Sequence, residues 1–260
     1  MLDESSIKPA RKAFRARLTG QQGARRSVVT PMAIRLSRTF ILRKLHQLSG
    51  IVPLGVFLLE HFYTNSKAVH PHTGPMDFNQ AVADLQAIPY ILLVETFGIF
   101  IPLLYHAFYG LVITFEWRPN NLAYPYPRNW FYTIQRITGI ILFVFIAFHV
   151  LNFRFGVIPY LPTYGTPVAH NPANAYHIVA VEFAQTWVFI VYLIGITATV
   201  WHLANGIWLF LVDWGIAIGA RAQRLTGYAC IAVGLVLLAV GINAEAAFLH
   251  PGGIWGGFLY

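Results

Sequence analysis

Residues 183–212 read FAQTWVFIVYLIGITATVWHLANGIWLFLV, thirty consecutive positions without Asp, Glu, Lys or Arg. A helix rising about 1.5 Å per residue needs roughly twenty apolar residues to cross a hydrocarbon core about 30 Å thick. This run is long enough to span with strong tilt or to protrude. Four further intervals lack the same residue types, 45–59, 96–115, 137–153 and 225–244. Widened to their natural edges, the five predict helices over about 41–63, 90–115, 130–153, 180–212 and 224–248. The first is the weakest, because Glu60 and His61 fall inside it. The fold class read from this pattern is an all-α membrane protein, five transmembrane helices in a bundle.

Composition agrees. The 260 residues are 57% hydrophobic and 11% charged, with a mean hydropathy of +0.56. Soluble domains carry roughly 25% charged residues, so an ordinary water-soluble enzyme is excluded, as is disorder. The single Cys230 provides neither a disulfide framework nor a thiolate metal site.

Of 18 Lys and Arg, eleven fall in residues 1–44. Arg118 and Arg128 follow the second span, and Arg221 and Arg224 follow the fourth. The opposite side holds only Lys67 and Arg154. By the positive-inside rule the amino terminus is cytoplasmic and the carboxy terminus outside. Residues 1–40 read as a basic cytoplasmic arm on anionic lipid headgroups, 41–250 as the membrane domain and 251–260 as an external tail; nucleic acid is not an expected partner. The external loops, rich in Pro, Gly, His, Tyr and Asn, are expected to cap the bundle with short pieces.

Four of the ten His lie within spans: His61, His106, His149 and His202. Ionisable groups at membrane depth are costly and are functional suspects. Counting along alternating helices places His61 and His149 near the outer surface and His106 and His202 nearer the cytoplasmic side. Local sequence repeats the pairing. Gln47 and Gln135 each precede a His by fourteen residues, with Gly50 and Gly139 nearby. Tyr105-His106 and Trp201-His202 are each followed one turn later by a glycine, Gly110 and Gly206. A glycine one turn from an imidazole leaves a flat strip on which a planar ring can lie. Zinc would want a third or fourth ligand, and no third His is expected at either depth. Haem brings four nitrogens and needs only two axial groups, so two bis-histidine haems b fit the count. Interhelical hydrogen bonding and a proton path through Glu60, Glu95 and Glu182 are the other uses such residues can have.

The stretches Arg43–His46 through Glu60-His61, Pro102–Gly110, Gln135-Arg136-Ile-Thr-Gly139 through His149, and His202–Trp208 together resemble the diheme cytochrome b membrane anchor of succinate dehydrogenases and fumarate reductases, in its five-helix b558 form. The resemblance covers about residues 38–245. It implies a succinate:quinone oxidoreductase whose flavoprotein and iron–sulfur subunits are separate chains. The inner haem, on His106 and His202, would face the iron–sulfur subunit; the outer haem, on His61 and His149, would exchange electrons with a quinone, menaquinone in this type. This chain itself holds no dinucleotide fingerprint or cluster-forming Cys set, so succinate chemistry is expected elsewhere.

Haem propionates are anionic, and Arg43, His46, Gln47, Gln135 and Arg136 are the candidates to receive them. The quinone or proton candidates are Glu60, Asp77, Asp84, Glu95 and Glu182. In at least one fumarate reductase of the resembled family a Glu two residues before the fourth-helix ligand moves protons; Val200 stands there in this chain. The rival readings are a cytochrome b of another respiratory complex, of nitrate reductase or formate dehydrogenase type, and a haem-free anchor.

Overall fold

A computed structural model describes residues 37–256. Most of the basic arm expected over 1–40, and positions 257–260 of the expected tail, lie outside the described residues. Every regular element among the described residues is helical. Among the described residues four helices are long and apolar enough to cross a membrane: α4 (Ile91–Phe115), α5 (Pro127–Arg154), α7 (Thr186–Asp213) and α8 (Gly219–Ala247), of 25 to 29 residues. In hydrocarbon a chain must satisfy its backbone polar groups internally, which is why these runs are helical throughout.

The first expected span is divided. α1 (Arg38–Ile51) and α2 (Pro53–Ser66) are each 14 residues long, too short singly to cross. Pro53 has no N–H and opens the second helix, while Val52 between them keeps helical angles and donates to Leu48 O at 2.9 Å. The fourth expected helix is shorter than 180–212, because α6 (Ala175–Phe183) ends before Gln185 turns the chain into α7. That break takes Glu182 out of the crossing helix.

α7 is the central element, packing against α8 and α5. Small residues permit the approach: a Cβ on Gly234 would meet the Ala204 methyl at 3.1 Å, and one on Gly241 would meet Ile196 at 2.9 Å. α4 buries no residue at all, and its Phe97, Leu104, Phe108 and Val112 are exposed. Such a surface suits lipid, where apolar side chains have no reason to turn inward.

Among the described residues, the buried hydrophobic cluster lies at one end. There α3 (Gly74–Gln86) and α6 pack Phe78, Val82, Val179 and Phe183 against Val188 and Tyr192 of α7 and Phe248 beyond α8. This capped end is where water would otherwise reach the bundle, so apolar burial organises it. The other end carries loop 116–126 and the tight turn 214–218, where Gly215 takes φ +68°.

Candidate functional site

The four membrane-depth imidazoles form two close pairs. The His61 and His149 rings lie 5.6 Å apart between centres at 85°, near the capped end. The His106 and His202 rings lie 6.2 Å apart at 82°. With metal–nitrogen bonds of about 2 Å and a ring radius of roughly 1 Å, imidazoles on opposite sides of one metal ion have centres roughly 6 Å apart. Among the described residues no three His, Cys, Asp or Glu are grouped to hold a metal ion. Each place therefore offers two imidazoles, a number that suits a metal whose other ligands come from a macrocycle.

The second nitrogens of three rings are already engaged. His106 Nδ1 lies 2.9 Å from His46 O, an atom that can only accept, so this nitrogen carries the proton and leaves Nε2 bare. Thr138 donates its hydroxyl to Ile134 O at 2.8 Å and so accepts from His202 Nδ1 at 3.2 Å. His149 Nδ1 lies 3.2 Å from the Tyr192 hydroxyl. Fixing the far nitrogen is how a protein orients a metal-binding imidazole.

Each of these rings has a glycine or a hydroxyl beside it on the neighbouring helix. A Cβ on Gly50 would come within 2.5 Å of His106 Cε1, and one on Gly139 within 3.4 Å of His202 Cε1. Ser49 Oγ is 3.4 Å from His106 Nδ1, as Thr138 Oγ1 is close to His202 Nδ1. The repeated local sequence is thus aligned in space on Ser49-Gly50 and Thr138-Gly139, not on Gln47 and Gln135. His46 then corresponds to Gln135, each four residues before its glycine. Gly110 and Gly206 complete the pattern, lying against His46 Nε2 (3.1 Å to a Cβ) and Gln135 Nε2 (3.6 Å).

One expectation is overturned. The His46 ring stacks on His106, 4.1 Å between centres and 9° apart, so a third imidazole does lie beside the His106–His202 pair. Depth counted along one axis ignores the reach of a side chain, which here covers about one helical turn. Parallel stacked faces do not direct two nitrogens at a single ion, so the third ring adds no zinc site.

The remaining candidates separate by partner. Arg43 pairs with Glu116 at 2.9 Å on the exposed surface. Gln47 donates to Asp213 Oδ2 at 2.5 Å and accepts from Trp214 Nε1. Gln135 donates to His202 O at 3.0 Å and accepts from Asn205. Arg136 lies over the Tyr132 ring, and its Nε is buried without a partner, as are Trp201 Nε1 and Asn121 Nδ2. Unmatched donors of this kind fit an anionic acceptor such as a propionate. Among the acids, Glu60 accepts from Thr64, Asp77 from Thr73 and Asp84 from Gln80. Glu95 is tied to Arg154 at 2.6 Å in a partly buried ion pair. Both partners sit in π-helical turns, at Val94–Phe100 and Val150–Arg154. Glu182 is fully buried, and burial pushes its carboxyl up, against hydrogen bonds from Asn152 and Thr163.

Sequence reasoning passed over Tyr192, Asn152, Ser49, Thr138 and Glu245. The first four carry no signal beyond an ordinary polar residue in an apolar run. Glu245 did carry one, an acid near the end of the last span; it is 2% exposed and neither carboxyl oxygen has a hydrogen-bond partner. A cavity of about 380 Å³ at the capped end is lined by Lys67, His70, Asp77, Asn243 and Trp255, among others.

Comparison with known proteins gives a concordant picture. The family described as succinate dehydrogenase/fumarate reductase transmembrane subunit matches residues 118–241. The chain is similar to the succinate dehydrogenase cytochrome b558 subunit of Bacillus subtilis (strain 168), with 34% identity over 213 residues, covering 82% of this chain and 98% of that protein.

Proposed function

Because the chain belongs to the family of cytochrome b membrane-anchor subunits of succinate dehydrogenase, we propose that it binds two haems b and relays electrons between an iron–sulfur subunit and membrane quinone. In this reading α1 and α2 together make the fifth crossing, within a membrane domain of residues 41–250, and the basic ends of α1, α5 and α8 face the cytoplasm of a bacterial cell. His106 and His202 hold the inner haem, His61 and His149 the outer one.

The observation that carries the reading is the pairing of imidazoles 6.2 and 5.6 Å apart on facing helices, with Nδ1 of His106 and His202 held so that Nε2 is bare and Nδ1 of His149 beside the Tyr192 hydroxyl. A bound haem b supplies a one-electron carrier with no open coordination position. The chain's own residues do the rest. Gly50 and Gly139 clear the space behind His106 and His202. Arg136, Trp201 and Asn121 offer buried donors to the inner propionates. Phenyl rings around His149 exclude water on the outer side.

Quinone, with menaquinone the expected species, exchanges electrons at the capped end. The cavity lined by Lys67, Asp77, Asn243 and Trp255 supports that placement, since it combines an aromatic wall with groups able to bind or protonate a ring oxygen. The flavoprotein and iron–sulfur subunits dock at the opposite, basic end.

The test is haem b per polypeptide in the purified complex. Two haems are expected in the wild type and one in His106→Ala, with the outer centre still reducible. Two haems retained in His106→Ala would reject the pairing, and none in the wild type would leave a plain anchor.

A further inference from the structure

We propose that residues 250–256 form a fixed strap, pinned by Asn243, that presents Trp255 as the wall on which the quinone head stacks, an inference that rests on the placement of quinone at the capped end. Beyond α8 the chain reverses in a turn closed by Gly253 N donating to His250 O at 2.8 Å. Gly252 and Gly253 take φ +83° and +63°, a region that L side chains rarely adopt. Space excludes side chains as well. A Cβ on Gly252 would stand 2.6 Å from Gly256 Cα, one on Gly256 2.9 Å from Pro251 O, and one on Gly253 2.5 Å from Asn243 Oδ1.

Asn243 holds this turn from α8. It is 8% exposed, and its Oδ1 accepts from Ile254 N at 2.8 Å and from Trp255 N at 3.3 Å. Those two bonds fix the peptide units leading into Trp255, and removing the oxygen would leave both N–H groups unpaired. Gly252 also reaches the segment beyond α2, its Cβ position lying 3.5 Å from Pro71 Cγ. The strap therefore ties the end of α8 to the chain that follows α2.

Gly252, Trp255 and Gly256 of the strap line the cavity of about 380 Å³, together with Lys67 and Asp77. That volume lies in the range of roughly 300–1,000 Å³ usual for small-ligand sites. Trp255 is 48% exposed, so much of its indole is not spent in packing. Such a surface takes a flat aromatic ring in offset stacking, and the fused two-ring head of a menaquinone overlaps an indole over both rings. Lys67 Nζ sits 4.3 Å from the centre of the Tyr63 ring, a cation–π contact that steadies an ammonium at the cavity for a quinone oxygen. The isoprenoid tail also finds a surface. Val56, Leu59 and Tyr63 are exposed at helical spacing along α2 and lead to Ser66 and Lys67 at the cavity. Ser66 ends the helix that carries His61, about 7.5 Å of rise beyond it, which brings the cavity near the outer centre. Asn243 is thus a positioning residue that acts through the strap, and Trp255 is the group that meets the ring.

The experiment is rapid-mixing reduction of the outer haem by dimethylnaphthoquinol, a soluble menaquinol analogue, in the full purified complex with haem counted per polypeptide. The outer signal is assigned as the one that His61→Ala loses. Asn243→Ala, Gly253→Ala and Trp255→Ala should keep two haems. Each should raise the half-saturating quinol concentration about tenfold, the factor carried by loss of one well-packed aromatic contact. The limiting rate should change far less. Asn243→Asp retains an acceptor for Ile254 and Trp255 and should recover most of the affinity lost in Asn243→Ala. Trp255→Phe should recover part of that lost in Trp255→Ala. Unmoved half-saturation in Asn243→Ala and Gly253→Ala with both haems retained would overturn the proposal, as would an Asn243→Asp variant as weak as Asn243→Ala. If Asn243→Ala fails to assemble, Gly253→Ala decides by the same criterion. Rapid reduction of the inner haem by the quinol in His61→Ala would sink the placement of quinone at the capped end itself, so the two failures are distinguishable.

Discussion

Gly50 lies directly behind the imidazole of His106: a single added carbon there would stand 2.5 Å from His106 Cε1. The equivalent carbon on Gly139 would stand 3.4 Å from His202 Cε1, an ordinary contact. The two repeated stretches therefore differ in tolerance. Gly50→Ala must push the ring aside, at a cost typical of overpacking, about 1–3 kcal/mol. We expect Gly50→Ala to lose most of its inner haem and keep the outer one, while Gly139→Ala keeps both. Haem stoichiometry with reduced-minus-oxidised spectra reads this directly; equal haem content in the two variants would contradict it.

The pairing of rings makes a second prediction about combinations. Residues that serve one centre act as a unit, so their effects do not add. The double variant of His106→Ala with His202→Ala should retain one haem, as either single variant does. The double variant of His61→Ala with His202→Ala should retain none. A haem surviving in the second double variant would show that the ligands are partnered differently.

The candidate crossing helices were legible because long charge-free runs have few soluble uses, and α4, α5, α7 and α8 overlap such runs of 20, 17, 30 and 20 residues. The meeting of His106 with His202 and of His61 with His149 was also foreshadowed, since alternating helix direction converts sequence position into depth. What depth could not convey was rotation about each helix. The stacking of His46 on His106 and the fit of Gly50 behind the same ring depend on azimuth. Pro53 was visible in the sequence, yet whether a proline kinks or divides a helix depends on its neighbours. Tyr192 looked like one aromatic among many. Only the fold brings its hydroxyl to His149 Nδ1.

The ion pair of Glu95 with Arg154 joins the start of α4 to the end of α5 at 2.6 Å, with side chains 13% and 22% exposed. Arg154 Nε already lacks a partner, so neutralising the acid leaves a buried guanidinium poorly compensated. Glu95→Gln should lower stability by about 1–3 kcal/mol. It should show as a lower midpoint of thermal inactivation of the detergent-solubilised complex, with quinone turnover at low temperature preserved. Unchanged stability with lost turnover would instead assign Glu95 to proton movement.

Glu182 gives stability a predictable dependence on pH. Burial raises its carboxyl above the ordinary value, only partly offset by Asn152 and Thr163, so the folded protein holds this proton to higher pH than the unfolded chain. The unfolded chain then binds fewer protons than the folded one across that interval, and stability falls as pH rises through it. The contribution is fully present below the unfolded carboxyl value of about 4.3 and is lost as pH climbs through the folded value. Glu182→Gln cannot ionise and lacks this slope. The thermal midpoint of wild type minus that of Glu182→Gln should therefore be largest in acid and decline toward neutrality. A difference that grows with rising pH would mean that the folded state binds the carboxylate in preference to the acid, and that Asn152 and Thr163 outweigh burial.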